Sequence, residues 1–403
     1  MILTSTEGQT GLPRYFAQVF ETAQQMQNGR VDFILPDGRR FRAEGANPGV
    51  VAELAIHSED LFARLIREGD LGFCDAYLDG DWSTPDLQAF MDLVHAGNEN
   101  IYDGFPGQGL VRWFEQLRFW LQRNSKAQAR KNISYHYDLG NDFYGLWLDD
   151  TMTYSSALFE EGAQQSLEAA QIAKYKSMVD QMGVVAGDHV LEIGCGWGGF
   201  AEYAAQERGL RVTCLTISEE QFKYAKERIE KAGLSDLVQF KLQDYRDEQG
   251  HYDGIASIEM FEAVGEKYWP IYFDTVRERL KPGKLATLQI ITVDHARWEI
   301  YKRGVDFIQK YIFPGGMLPS PPVLREQVEK AGLVVEKSIE FGKSYDITLR
   351  RWHETFNEKW DQIAALGFDA RFRRMWNFYL TSCAATFDSG NCDVTQITIR
   401  RPG

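Results

Sequence analysis

Residues 190–199 read Val190-Leu-Glu-Ile-Gly-Cys-Gly-Trp-Gly-Gly199, an apolar run that passes through one acid into a glycine-rich loop. The segment after it, Phe200-Ala-Glu-Tyr-Ala-Ala205, has the composition of a helix. Gly194, Gly196 and Gly199 have the G-x-G-x-x-G spacing with which a strand, a tight turn and a helix bring backbone close to a nucleotide cofactor. The stretch therefore predicts an α/β domain with a nucleotide site at this turn.

The residues that follow extend this prediction. From about residue 183 onward, predicted strands alternate with predicted helices, which favours a mostly parallel sheet covered on both faces. Ser218-Glu-Glu-Gln221 has the capping-box pattern that opens a helix. The predicted strands are His189–Ile193, Arg211–Thr216, Val238–Leu242, Gly254–Ile258 and Leu285–Ile291.

The residues around the glycines favour one cofactor over another. A pyridine nucleotide site has an acid near the end of the second strand, about 20 residues on, but Val212-Thr-Cys-Leu-Thr-Ile217 contains none. The acid comes before the glycines, at Glu192, and a second acid, Asp244, follows the third strand. This arrangement resembles class I S-adenosylmethionine (SAM) methyltransferases, so SAM is preferred to NAD.

Composition sets wider limits. The 403 residues are 44% hydrophobic, which is enough for the cores of a large α/β domain and a smaller unit. The five cysteines have no paired spacing, which predicts reduced thiols and no metal site. The net charge of −14 argues against a general nucleic-acid binder, which needs a broad basic surface. No apolar run approaches the roughly 20 residues that a membrane span requires, and no signal sequence is evident, so we expect a cytoplasmic protein.

The N-terminal part predicts a separate small α+β domain. Pro36-Asp-Gly38 lies between the predicted strands Val31–Leu35 and Arg40–Ala43, as in a β-hairpin, and helical spacing follows at 61–66 and 87–94. The glycine-rich residues 98–109 predict a linker. We therefore divide the chain into a small domain, 1–108, with a possible role in lipid or dimer contacts, and a catalytic domain, 109–403.

A basic and aromatic segment follows that linker. Residues 112–131 contain six Lys or Arg and one acid, interleaved with Trp113, Phe114, Phe119 and Trp120. Such a helix can lie at a membrane surface and bind anionic lipid. It can equally be a connecting helix whose aromatic rings pack on the domain, and the residues leave both interpretations open.

Five further blocks of sequence lie outside the glycine loop: Tyr135–Asn141, Met152–Ser156, Met260–Gly265, Tyr311–Pro319 and Phe378–Ala385. They occur in the order found in cyclopropane fatty acid synthases, which the chain resembles from about Lys131 to the C-terminus. The resemblance implies transfer of a one-carbon unit from SAM to a cis double bond in the acyl chain of a membrane phospholipid, with a homodimer at the membrane surface.

The resemblance also implies a site for closing a cyclopropane ring. In this family a bound bicarbonate is expected to accept the proton that leaves, and Glu262, Tyr345 and the backbone of Ile291 occupy positions that hold it. Ser156 replaces a cysteine and Gln289 replaces a histidine of many bacterial members, so the bicarbonate site is altered. Ring closure is the expected outcome, and the alternative is a fatty-acyl C-methyltransferase that gives a methyl- or methylene-branched chain or a methylated diene.

Other positions are predicted to hold SAM or the acyl chain. Aromatic faces suit a site where a cation forms, because their negative quadrupole stabilises it without reacting. Tyr311 and Phe313 are predicted to line the substrate pocket. The predicted SAM-binding residues are Tyr137, Tyr154, Ser155, Glu192, Gly194, Gly196, Thr216, Gln221, Gln243, Asp244 and Tyr245.

Two other functions remain open at this stage. The chain could be a lipid-binding pseudoenzyme that keeps the SAM pocket, although the intact glycines and Glu262 argue against this. It could also be a small-molecule methyltransferase with the same fold, because fold alone does not determine function.

Overall fold

A computed structural model describes residues 1–96, 139–160 and 164–403. The predicted linker, the basic segment at 112–131, the predicted division at 108/109 and Tyr137 lie outside the described residues. The described residues form two compact units. The first unit contains 1–96, 303–312 and 364–390, and the second unit contains the rest. The linear division did not anticipate that the small unit would also include two later segments.

The second unit is built on a seven-stranded sheet with the order β11-β12-β10-β9-β6-β7-β8. Strands β10, β9, β6, β7 and β8 are parallel, and β12 runs antiparallel between β10 and β11. The predicted mostly parallel α/β sheet is confirmed, and the antiparallel strand is an addition that the alternation did not indicate. The strands are β6 (His189–Ile193), β7 (Arg211–Thr216), β8 (Val238–Leu242), β9 (Tyr252–Ile258), β10 (Leu280–Val293), β11 (Val334–Glu340) and β12 (Cys392–Arg400).

Helices cover this sheet, and the one after β7 begins at its predicted capping residue. Ser218 is the N-cap of α8, and its hydroxyl accepts the backbone N–H of Gln221 at 3.3 Å, which confirms the capping prediction. The helices of the second unit are α5 (Asn141–Gly145), α6 (Leu167–Met182), α7 (Gly199–Arg208), α8 (Glu219–Lys231), α9 (Trp269–Arg279), α10 (Trp298–Tyr301), α11 (Pro321–Lys330) and α12 (Gly342–Glu358).

The first unit is an α+β module around a sheet of order β1-β3-β2-β4-β5. The predicted hairpin is present: β2 and β3 are antiparallel, and Gly38, at φ +86°, donates its N–H to the carbonyl of Leu35. The elements are β1 (Ile2–Leu3), α1 (Phe16–Ala23), β2 (Asn28–Ile34), β3 (Arg40–Glu44), β4 (Asn47–Ile56), α2 (Asp60–Glu68), α3 (Asp70–Asp79), β5 (Trp82–Ser83), α4 (Leu87–His95) and α14 (Ala370–Asp388); α13 (Trp360–Ala365) precedes α14.

The late helix α14 completes the core of the first unit. The Phe378 ring packs against Tyr77 of α3 and against Phe307, with centroids 5.7 and 4.7 Å apart. Gln88 of α4 donates to the carbonyl of Thr381 at 3.2 Å. Within the described ranges, no helix has the length and apolar character needed to cross a membrane.

Candidate active site

The glycine loop lies at the carboxyl end of β6, as ligand loops do in open α/β sheets. Gly194 has φ +83°, and a Cβ there would lie 2.7 Å from Met260 Cγ, so this position requires glycine. Gly196 has φ +51°, and a Cβ there would meet no atom of the described residues within 4 Å. The loop therefore leaves open space against bare backbone, which fits a cofactor such as SAM.

Residues predicted on the adenosine side come together at the ends of β7 and β8. The Thr216 hydroxyl is 3.1 Å from Gln221 Oε1, and the Gln243 backbone N–H donates to the Thr216 carbonyl at 2.9 Å. Asp244 forms an ion pair with Arg246 at 2.6 Å and caps the turn that contains Tyr245. These residues share one edge of the sheet, and their contacts with SAM stay a prediction.

Glu192 has a different environment from the one predicted. Its side chain points from β6 into the sheet core, where it is 3% exposed and accepts a hydrogen bond from Cys214 Sγ at 3.5 Å. Burial raises the pKa of Glu192 to about 8. The carboxyl is therefore mostly neutral near pH 7, and its predicted role in ordering the glycine loop stays a prediction.

An aromatic cluster surrounds Tyr154 in the second unit. The Tyr154 ring packs against Tyr144, Trp147 and Trp352 with centroid separations of 5.4 to 5.6 Å, and Phe313 is 6.4 Å away. Aromatic faces can stabilise a cation, and the part of this cluster in the reaction stays a prediction.

Tyr311 lies in the first unit. Its hydroxyl donates to Asp75 Oδ1 at 2.5 Å, and its ring packs on Phe307 at 5.2 Å. Phe313, two residues later, belongs to the second unit. The role of Tyr311 in lining a substrate pocket stays a prediction.

Three groups at the predicted bicarbonate site donate to a protein carboxylate, Glu259. Tyr345 donates its hydroxyl to Oε2 at 2.7 Å, and Oε1 accepts from Gln289 Nε2 and from the Ser156 backbone N–H, both at 2.8 Å. The Glu259 carboxylate and bicarbonate are both planar anions that accept hydrogen bonds through oxygen, so they would compete for the same three donors. In this structure Glu259 therefore occupies three of the donors predicted for bicarbonate, and bicarbonate binding by this chain stays a prediction.

The backbone of Glu259 is held in an unusual conformation. Glu259 follows β9 and has φ +48°, a region that costs a non-glycine residue about 1–3 kcal/mol. Its N–H donates to the carbonyl of Gln289 at 2.8 Å. The two residues are thus joined through backbone and side chain, and this geometry keeps the carboxylate among its donors.

Three predicted catalytic residues make contacts other than those expected. The Ser156 hydroxyl donates to the Ala157 carbonyl at 2.9 Å, and only its backbone N–H serves the anion. The Ile291 N–H donates to Glu262 Oε1 at 2.5 Å. No group among the described residues hydrogen-bonds to the buried Glu262 Oε2.

The two carboxyl groups have different environments. Burial and then the negative charge of Glu259 raise the pKa of Glu262 to about 8, so Glu262 is mostly neutral near pH 7. Burial also raises the pKa of Glu259, but bonds from Tyr345, Gln289 and Ser156 favour its charged form. The Glu259 carboxylate is thus held by several hydrogen-bond donors, whereas Glu262 accepts the backbone N–H of Ile291.

Sequence reasoning missed Glu259. The motif Met260–Gly265 drew attention to Glu262, while Glu259 is the acid directly after an apolar strand, where side chains reach a ligand at the sheet edge. That position, together with glutamine in place of histidine at Gln289, was the available signal. Lys174 and Gln171 were also missed, although two polar residues on the otherwise apolar buried face of a helix indicate a buried polar function.

Comparison with known proteins identifies the family. A family model described as mycolic acid cyclopropane synthetase matches residues 124–397. The chain belongs to this family. It is accordingly a SAM-dependent methyltransferase of the cyclopropane synthase family that modifies fatty acyl chains.

Relatives within the cyclopropane synthase family differ in product. The tuberculostearic acid methyltransferase UfaA1 of Mycobacterium tuberculosis is 39% identical, covering 90% of this chain and 86% of that protein. The cyclopropane-fatty-acyl-phospholipid synthase of Escherichia coli K12 is 37% identical, covering 88% and 89%. A crystal structure of the mycolic acid cyclopropane synthase CmaA1 with SAH and CTAB is 31% identical, with a TM-score of 0.63, covering 67% of this chain and 97% of that one. The class I methyltransferase fold and a SAM site are thereby established, and the product is not.

Proposed function

We propose that this enzyme transfers a one-carbon unit from SAM to the cis double bond of an unsaturated phospholipid acyl chain and closes a cyclopropane ring, with Glu259 as the proton acceptor. The observation that carries the proposal is the convergence of Tyr345, Gln289 and the Ser156 N–H on this one carboxylate. The ring contacts between Tyr154 and Phe313 supply aromatic surface in the same unit.

Different groups of residues bind SAM, stabilise the cation on the acyl chain and remove the proton. The open backbone at Gly196 and the residues at the ends of β7 and β8 are suited to hold SAM, which supplies an electrophilic methyl group when bound. Methyl transfer leaves a positive charge on the acyl chain, and the aromatic cluster around Tyr154 stabilises it. Glu259 then takes a proton from the new methyl group, and the electron pair of that C–H bond closes the ring.

Glu259 meets the requirements of such a base. Glu259 is partly buried at the end of β9, and burial raises its pKa toward working pH, where a general base is most effective. The neighbouring Glu262 is mostly neutral and does not compete for the role.

A methyl- or methylene-branched product is the second candidate. The relative at 39% identity is named a tuberculostearic acid methyltransferase, which favours this outcome. The same cation can undergo a hydride shift before Glu259 removes a proton, which would give a methylene branch. Ring closure and the methylene branch require the same base, so the geometry of Glu259 supports either product. A saturated methyl branch would in addition need a hydride donor to reduce the methylene group.

We also propose that the enzyme acts from the cytoplasm as a homodimer at an anionic membrane surface. This rests on the phospholipid named for the Escherichia coli relative and on the basic, aromatic composition of 112–131. Flotation with anionic and with neutral vesicles tests the contact, and light scattering tests the dimer. Binding that ignores lipid charge, or a fully active monomer, would contradict these two proposals.

The decisive experiment is mass spectrometry of fatty acids after incubation with SAM and vesicles of cis-monounsaturated phospholipid. A gain of one CH2 without remaining unsaturation identifies the ring, and a methylated chain that keeps a double bond identifies the second candidate. Glu259→Gln should reduce turnover about 10²–10⁴-fold with SAM binding retained. Glu227→Gln, an exposed acid on α8, is the matched control and should leave turnover unchanged.

A further inference from the structure

Lys174 is a fully buried lysine on α6 that the proposed mechanism does not use. Its ammonium donates to Gln171 Oε1 at 2.6 Å and to the Ser155 hydroxyl at 2.7 Å. Both partners are uncharged. A buried ammonium needs a compensating negative charge as well as hydrogen bonds, so the position of the nearest carboxylates decides what this residue does.

Two amide groups in series connect Lys174 with Glu259. Gln171 accepts from the ammonium through Oε1 and donates through Nε2 to the Ser155 carbonyl at 3.0 Å. The N–H of the same peptide unit, on Ser156, donates to Glu259 Oε1 at 2.8 Å. We call the Gln171 side chain and the 155–156 peptide the amide bridge.

The direction of the amide bridge is set by the groups at its ends. An ammonium can only donate, and a backbone carbonyl or a carboxylate can only accept, so the Gln171 amide has one allowed orientation. Aligned hydrogen bonds polarise one another, most strongly in a low-dielectric interior. Gln171 and Ser156 are both fully buried, so solvent does not screen this path.

The charges around Lys174 support the same connection. Burial lowers the pKa of Lys174, while the negative charges of Glu259, then Asp149 and Glu192, favour its charged form. Glu192 is itself mostly neutral near pH 7, because burial raises its pKa to about 8. The Tyr175 ring, with its centroid 4.8 Å from the ammonium, adds a neutral face.

The groups that face Glu259 come from four elements. Tyr345 reaches it from α12, Gln289 from β10 and Glu262 from the turn after β9, while Lys174 acts from α6. Tyr345 and Gln289 are uncharged donors, and Glu262 is a mostly neutral acid. Among the described residues, Lys174 is thus the positive charge that acts on Glu259.

We propose that Lys174 is a positioning residue that keeps Glu259 ionised through the amide bridge and thereby sets the pH range in which the base works. This inference rests on the proposed function, because it assigns the lysine an effect on the proposed base. Lys174 itself touches neither acyl chain nor cofactor in this role.

The test is the pH dependence of kcat in Lys174→Met and Lys174→Arg. Without the positive charge, Glu259 holds its proton to higher pH, so the acid limb of the Lys174→Met profile should move up by about one pH unit or more. Turnover should then fall about tenfold on the acid limb and approach the unchanged enzyme at high pH. Lys174→Arg keeps the charge and should move the limb less. Lys176→Met, an exposed lysine on the same helix paired with Asp180, is the matched control and should not move it.

Further variants keep the inference testable if Lys174→Met does not fold. Gln171→Leu leaves the ammonium in place but interrupts the amide bridge, and it should move the limb in the same direction by a smaller amount. In a Glu259→Gln background, replacing Lys174 by Met should cause no further shift.

Three outcomes separate the possibilities. If the unchanged enzyme alkylates no lipid, the proposed function fails. If it is active and neither Lys174→Met nor Gln171→Leu moves the acid limb, the inference about Lys174 is overturned. Weaker SAM binding by calorimetry with an unshifted profile would also overturn it, and would place the effect of Lys174 on the cofactor through Ser155.

Discussion

Gln289 and Gln396 are cross-strand neighbours on β10 and β12, and Gln396 Nε2 donates to Gln289 Oε1 at 3.1 Å. This bond leaves the Gln289 NH2 group to donate to Glu259 and to the Ser156 carbonyl. Ser177 donates to the other end of the Gln396 amide at 2.6 Å, so both amides have a defined orientation. The antiparallel strand therefore has a part in ordering the site.

Gln396→Leu should lower kcat about tenfold, because the Gln289 amide loses the partner that orients it. SAM binding should be unchanged, since Gln396 acts on the Glu259 side of the site. Steady-state kinetics and calorimetry check both statements, with Gln239→Leu on the exposed face of β8 as the control. Equal losses of kcat in the two variants would contradict the positioning role.

Tyr345→Phe should move the acid limb of the kcat profile to higher pH by about one unit. The Tyr345 hydroxyl bonds to the charged form of Glu259 and lowers the pKa of that carboxyl, so its removal raises that pKa. Tyr224→Phe, on α8, should leave the profile in place. A uniform loss of activity at every pH would show that Tyr345 only supports packing.

The enzyme should not depend on added bicarbonate, because Glu259 already consumes the three donors. Glu259→Gly should be nearly inactive yet folded, since glycine tolerates φ +48°. The three freed N–H and O–H groups should then bind a small anion by donating hydrogen bonds to it. Added formate or bicarbonate should therefore restore part of the rate. Glu259→Gln fills the same space and should not respond. A bicarbonate requirement in the unchanged enzyme would contradict this account.

Glu262→Gln should remove part of the pH dependence of stability. The folded state raises the pKa of Glu262 from an ordinary 4.5 to about 8. The contribution of Glu262 to the free energy of unfolding is therefore fully present below about pH 4.5 and is lost as the pH rises through 8. The free energy of unfolding falls by no more than about 1.4 kcal/mol per pH unit over this range. Thermal unfolding at several pH values should show that the Tm of the variant rises relative to that of the unchanged enzyme between about pH 5 and 8. Parallel curves would show that Glu262 is ionised in the folded state.

Local signals predicted the elements around the glycine loop well. The bounds of β6, β7 and β8 agree with the predicted strands, because each is a short apolar run that ends at a turn or cap. Helix α3 was missed because Gly69 and Gly72 read as loop residues. Gly72 is helical, however, and a Cβ there would lie 2.4 Å from the Arg64 carbonyl, so glycine permits α2 and α3 to pack closely.

The anion site was predicted only in part, for a physical reason. The donors Tyr345 and Gln289 could be found from motifs, but which group accepts their bonds depends on backbone geometry at Glu259 that no local pattern encodes. Likewise, the side chain of Ser156 suggested a hydroxyl donor, whereas its backbone N–H makes the contact. In both cases the path of the backbone determines which group of the residue reaches the site: the carboxylate of Glu259 and the N–H of Ser156.

The inclusion of α14 in the first unit has a consequence for synthesis of the protein. When residue 96 leaves the ribosome, the apolar faces of α3 and α4 still lack the helix that covers them, because Phe378 and Thr381 have not yet been made. Contacts so distant in sequence form late and slow folding. The apolar surface of the N-terminal module therefore stays exposed until residues 370–388 have emerged.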